Sequence, residues 1–145
     1  MSSQDSVGRA PPIVRAEPFD EHGSVIIVEG DLDLETAPQL GEVISGQIAA
    51  GHRHLVVDLS DATFLDSSAM GMLLHAVAPL RGDAAAAVVL AGVHGIVERS
   101  LAISGIGAMF SNFDTTEAAI GGMSGRSESA DGAWRNLCHR PQAAL

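Results

Sequence analysis

The chain has 145 residues, 46% of them hydrophobic, with 18 acidic residues against 8 basic ones and a formal charge of -10. That length is enough to bury one core without disulfides or a structural metal, and the acidic balance disfavours nucleic-acid phosphates and anionic membrane surfaces, which reward clustered Lys and Arg. All the basic residues are Arg; without Lys there is no Walker A lysine, no kinase-type strand lysine and no Schiff-base lysine.

Residues 1–12 are polar, end in Pro11-Pro12 and read as a flexible segment. They lack the basic and apolar regions of a signal peptide, so a cytoplasmic protein is expected. The extended stretches Ile13 to Phe19 and Ser24 to Glu29 flank the turn-like Asp20-Glu21-His22-Gly23 and predict a β-hairpin. A turn over Gly30 to Asp33 leads to a helix from about Glu35 to Ala50, where Leu40, Val43, Ile44, Gln47 and Ile48 recur at three- and four-residue spacing; Gly51 marks its end.

Next, the apolar run Leu55 to Leu59 predicts a strand. Met70, Leu73, Leu74 and Val77 form one face of a helix from Ser67 or Ser68 to Leu80, closed by Gly82-Asp83. A strand over Ala87 to Ala91 follows, entered through the alanine tract Ala84 to Ala87. A helix from about Gly95 to Ser104, a short strand over Met109 to Phe113 and a terminal helix from Thr116 to Gly121 complete a domain expected over residues 13–122. Residues 123–145 mix Ser, Gly, Asp and Arg around Trp134 and read as a flexible tail. The alternation of strands with amphipathic helices predicts a sheet with helices packed on it, an α/β domain. The longest apolar run, Ala84 to Val93, is far short of the roughly 20 residues that cross a bilayer.

The segment Asp66-Ser67-Ser68-Ala69-Met70-Gly71 places two hydroxyls beside a carboxylate where a strand gives way to a helix. One reading is capping: Asp66, Ser67 or Ser68 accepts a hydrogen bond from an unpaired N–H of the first turn, contributing about 1 kcal/mol. The other is a regulatory phosphoserine, which adds about -1.5 to -2 charges and three acceptor oxygens where the helix dipole tolerates them. With Asp66 adjacent, and Asp31, Asp33, Asp58 and Asp61 as possible neighbours, a phosphate there would deepen an acidic patch.

These residues resemble the STAS-domain anti-sigma factor antagonists of bacterial partner-switching systems, over about residues 13–122. The run Thr63-Phe64-Leu65-Asp66-Ser67-Ser68-Ala69-Met70-Gly71 is similar to that family's aromatic, aliphatic, Asp-Ser-Ser/Thr-Gly-Leu-Gly pattern, with Ala69 for the usual glycine and Met70 for the usual leucine. Gly30-Asp31-Leu32-Asp33 with Thr36-Ala37 resembles its Gly-Glu/Asp-Leu-Asp turn. Ser104-Gly105-Ile106 resembles the Ser-Gly-Leu after its third helix, and Thr115-Thr116-Glu117-Ala118-Ala119 the start of its terminal helix. The resemblance implies a mixed, mostly parallel sheet with helices packed chiefly on one side. It makes Ser67 the phosphorylation site and Asp31, Asp33, Asp66, Ser68, Ala69, Met70 and Gly71 the surrounding motif and partner surface. It also implies a protein with no catalytic centre and no cofactor of its own, which regulates transcription by binding an anti-sigma factor, a serine kinase with a histidine-kinase-like ATP fold. Phosphorylation by that kinase ends the complex and a metal-dependent serine phosphatase restores it; ATP and magnesium belong to those partners.

Two other readings stand beside this one. The first is a STAS scaffold that binds its partner constitutively; the second is a small hydrolase using Ser67 with His75 or His94, although Leu65-Asp66-Ser67-Ser68-Ala69 lacks the glycine-flanked elbow of serine hydrolases. Asp31 and Asp33 lack the further ligands of a calcium loop and read as turn or partner-contact residues. His52 and His54 lack a third placed ligand and read as exposed polar residues. Cys138, the single cysteine, cannot form an internal disulfide and reads as an incidental tail residue.

Overall fold

The computed structural model describes residues 12–126; the expectations placed on residues 1–11 and 127–145, including those for Trp134 and Cys138, lie outside the described residues. The chain opens with the expected hairpin. Strand β1 (Ile13–Pro18) runs antiparallel to β2 (Gly23–Leu32), in register from Ile13 opposite Glu29 to Pro18 opposite Ser24. The Asp20 carboxylate accepts the His22 N–H at 2.8 Å and closes the turn, as a short Asp side chain does in an Asx turn.

Helix α1 (Ala37–Ala49), strand β3 (His54–Leu65), helix α2 (Ser67–Val77), strand β4 (Ala87–Ala91), helix α3 (Gly95–Ser104), strand β5 (Ser111–Phe113) and helix α4 (Thr116–Arg126) follow. The sheet order is β1-β2-β3-β4-β5, and every pairing after the hairpin is parallel. Each helix between parallel strands therefore bridges two sheet neighbours. Crossovers of this kind are right-handed as a rule, and repeated steps in one direction put α1, α2 and α3 on one face.

The side chains follow from that layout. Strand residues alternate between faces: Ile26, Val28, Leu55, Val57, Val88 and Leu90 join Leu40, Ile44, Leu73, Val77, Val97 and Leu101 in the larger core. Val25, Val56 and Val89 point to the opposite face, where Ala119 and Met123 of α4 cover them. The fold is thus α/β, a mixed and mostly parallel sheet with helices chiefly on one side.

Several element limits differ from their sequence readings. Gly30, Asp31 and Leu32 belong to β2 and form no turn, and β3 runs on from Leu59 to Leu65, because these two stretches pair with one another. Helix α1 begins at Ala37, two residues later than expected, since residues 34–36 form a turn held by Asp33. The second helix is α-helical only to Val77; Pro79, which has no N–H, sits in a short 3₁₀ turn over Ala78–Leu80. Ala84 and Ala85 form a turn fixed by the Asp83 carboxylate, which accepts the Ala85 N–H at 2.9 Å. Met109 ends a second 3₁₀ turn, Ile106–Met109, so β5 starts at Ser111. Gly121-Gly122 does not stop α4, whose next residue, Met123, is buried against the sheet.

Candidate functional site

Strands β2 and β3 outrun the rest of the sheet. The pairing of β3 with β4 ends at Asp58 opposite Ala91, whereas its pairing with β2 continues through Asp61, Ala62, Phe64 and Leu65, opposite Glu29, Gly30, Asp31 and Leu32. Two register shifts, between Ile27 and Glu29 and between Gly30 and Asp31, bend the ribbon as bulges do. Gly92 is the residue at which the chain leaves β4 beside this extension. Its φ is +72°, and a Cβ there would stand 2.6 Å from the Ser60 Cβ, so the departure requires glycine.

The ribbon ends at the start of α2. The Asp66 N–H donates to the Leu32 carbonyl at 3.2 Å, fixing the helix entrance to the end of β2. Asp66 is the N-cap, and its carboxylate accepts the Ala69 N–H at 3.0 Å. The capping that the sequence left open among three residues thus falls to Asp66. Ser67 is exposed, and its hydroxyl makes no hydrogen bond to any described residue. Ser68 is half-buried, Ala69 and Met70 are buried, and Gly71 is exposed.

Asp31, near the end of β2, and Asp33, just beyond it, do different work. Asp33 accepts hydrogen bonds from the Glu35 N–H at 3.0 Å, the Thr36 N–H at 3.2 Å and the Thr36 hydroxyl at 3.1 Å, while its own N–H donates to the Thr36 oxygen at 2.9 Å. It builds the loop that launches α1. Asp31 faces across the ribbon and accepts the Thr63 hydroxyl. Asp58, where β4 ends, accepts the Ser60 hydroxyl at 2.6 Å and the Ser60 N–H at 3.0 Å.

Two apolar side chains that sequence reasoning did not single out stand in this acidic setting. Leu34 is 72% exposed and Phe64, opposite Asp31 in register, is 38% exposed. A signal was present: Phe64 and Leu65 are consecutive strand residues, so one of them must point outward. The carboxyl end of the sheet therefore offers a free serine hydroxyl, carboxylates and exposed hydrophobic side chains together. It lies where open parallel sheets present their binding residues.

Neither histidine considered as a base for Ser67 is bonded to it. His75 is exposed two turns further along α2, and the His94 ring is bonded to the Ser60 carbonyl at 3.0 Å. His52 and His54 are half-buried, where exposure was expected, because the strand entrance is packed against neighbouring loops. The His54 ring reaches the Ala85 carbonyl at 3.1 Å, and the His52 Nδ1 is buried. Among the described residues no three His, Cys, Asp or Glu side chains cluster as metal ligands do, and no helix is long and apolar enough to cross a membrane.

Comparison with known proteins places this geometry. An anti-sigma-F factor antagonist of Mycobacterium tuberculosis, RsfB, is 29% identical over 117 residues, covering 80% of this chain and 94% of RsfB. The unphosphorylated form of the anti-sigma factor antagonist SpoIIAA superposes with a TM-score of 0.68 at 24% identity, covering 78% of this chain and 97% of that one. The phosphorylated form of the Bacillus protein gives 0.59 at 23% identity, with 74% and 96% covered. An ATP-dependent (S)-NAD(P)H-hydrate dehydratase of Aspergillus fumigatus is 26% identical over 69 residues, 48% of this chain; the match spans only 19% of that enzyme. The STAS domain profile matches residues 16–119, which include both long strands, α2 and the whole serine-bearing junction. The chain belongs to the STAS domain family.

Proposed function

We propose that this protein is an anti-sigma factor antagonist that acts in the cytoplasm. In this reading it binds a serine-kinase anti-sigma factor while Ser67 is unmodified and is released when Ser67 is phosphorylated. One observation carries the reading: Asp66 caps α2, which leaves the Ser67 hydroxyl exposed and unbonded at the helix N-terminus. The names of RsfB and SpoIIAA, and the existence of SpoIIAA in phosphorylated and unphosphorylated forms, support the same assignment.

The chemistry follows from position. The Ser67 oxygen attacks the γ-phosphorus of ATP held by the kinase, its proton passes to a base on the kinase, and ADP leaves. The product phosphate sits at the positive end of the α2 dipole, so the fold tolerates it. The partner does not. A surface that covers Asp31, Asp66, Leu34 and Phe64 must then desolvate a further charge of about -1.5 to -2 beside existing carboxylates. Ser68, Ala69, Met70 and Gly71 shape the first turns on which the kinase closes, and a serine phosphatase resets the switch. Under this proposal the protein is substrate and ligand, and the catalytic groups, ATP and magnesium are its partners'.

The test is a capture from lysate of the source organism using wild type, Ser67→Ala and Ser67→Asp as baits, followed by titration of the captured kinase. Wild type and Ser67→Ala are expected to hold it, and Ser67→Asp to bind at least about tenfold more weakly, equivalent to roughly 1.4 kcal/mol. Equal retention of the kinase by all three overturns the switch and leaves a constitutive scaffold.

A further inference from the structure

The opposite end of α2 holds a feature that the antagonist reading does not use. Beyond Val77, where the helix gives way to its 3₁₀ turn, lies a partly open cavity of about 390 Å³. Leu74, the lining residue of α2 nearest Ser67 in sequence, stands seven residues further along the helix, roughly 10 Å at 1.5 Å per residue. Leu74 and Val77 of α2, Val88 of β4 and Phe110 form apolar walls, and Met109, 38% exposed, stands at the mouth.

Among the described residues its charged lining consists of Arg81 and Asp83, and they are not equivalent. The Asp83 carboxylate is engaged, with the Arg53 Nε at 3.3 Å and the Ala85 N–H at 2.9 Å. The Arg81 guanidinium is exposed and makes no ion pair among the described residues. In a chain with 18 acidic and 8 basic residues, a cation left unpaired by the described residues beside an apolar cavity is a specific chemical combination.

We propose that this cavity binds an amphipathic carboxylate of medium chain length, with the hydrocarbon inside and the carboxylate on Arg81. The apolar walls reject a ligand that must keep its own hydrogen bonds, because they offer no replacements. The exposed guanidinium selects an anionic head over a cationic one and matches a carboxylate in its planar fork. The volume falls within the range of small-ligand sites. Decanoate, with about a dozen non-hydrogen atoms, is a probe of that class and size.

The full-length protein with ¹³C-labelled methyl groups, titrated with decanoate and separately with 1-decanol, tests this. Saturable shifts are expected at the methyls of Val88, Ala108 and Met109, with the Ser67 end of α2 unmoved. Arg81→Gln should weaken decanoate by about tenfold, as expected for one lost charge-assisted hydrogen bond, and leave decanol unchanged. Ala108→Phe should fill the cavity and abolish both; Met109→Asp, at the rim, should weaken decanoate more than decanol, because repulsion adds to the lost apolar contact. Absence of saturable shifts, shifts elsewhere, or an equal response of both probes to Arg81→Gln overturns the proposal. So does contact between the Trp134 indole and the cavity methyls in the ligand-free protein, which would make the chain's own tail the occupant.

Discussion

The two halves of β3 have little in common except continuity. From His54 to Asp58 the strand is paired on both sides, and Leu55, Val56, Val57 and the following Leu59 are all buried. From Ser60 to Leu65 it is paired only with β2, and Ser60, Asp61, Thr63 and Phe64 are exposed. The first half is held by two neighbouring strands and two hydrophobic layers; the second is a ribbon that puts Ala62 and Leu65 in the core and is otherwise held by backbone pairing and a few polar contacts. The inner half can therefore absorb the cost of an outer half whose side chains are free to meet a partner.

Four substitutions sharpen or break this contrast, each read by urea unfolding. Leu55→Ala in the inner half should cost about 2–5 kcal/mol, the range for a large buried side chain that leaves a cavity; a loss below about 1 kcal/mol would mean that the inner half is not the anchor. At the ribbon's end, Asp66→Ala should cost about 1 kcal/mol by removing the cap of α2, while Ser67→Ala stays within about 0.5 kcal/mol. A reversal of those two effects would show that Ser67 is the cap and its hydroxyl is committed. Thr63→Ala removes an exposed hydrogen bond to Asp31 and should cost about 0.5 kcal/mol, with faster amide exchange confined to the ribbon; protection lost throughout β3 would make the two halves one unit.

The same contrast explains what the sequence disclosed. Strand β4 was legible to the residue because Ala87–Ala91 is an uninterrupted apolar run that is buried throughout. The faces of α1 and α2 were legible because Leu40 and Ile44, and Met70, Leu73 and Val77, keep helical spacing toward one core. The outer half of β3 and its partner Gly30-Asp31-Leu32 were not, because Gly and Asp are turn formers and only the pairing of two distant segments makes them strands. Within the site, the Asp-Ser-Ser triplet marked a helix start, but three good capping residues in a row do not say which one caps. The exposure of Phe64 was signalled by its neighbour Leu65, since one of two consecutive strand residues faces outward, whereas Leu34 lies in the turn over residues 34–36, which has no face alternation to read. The role given to Ser67 came from family resemblance, and geometry adds that its hydroxyl is unencumbered.

The strand order β1-β2-β3-β4-β5 has a kinetic consequence. Neighbours in the sheet are neighbours in sequence, so no strand has to insert between two that are already joined. Loop closure is the entropic hurdle that slows parallel sheets, and here each closure spans a single helix. The sheet can grow outward in the order of synthesis, with the hairpin, α1 and β3 assembling as the first template and β4 and β5 adding to an existing edge. Ser67 follows directly on that template, so its helix has a docking surface before the last two strands have left the ribosome.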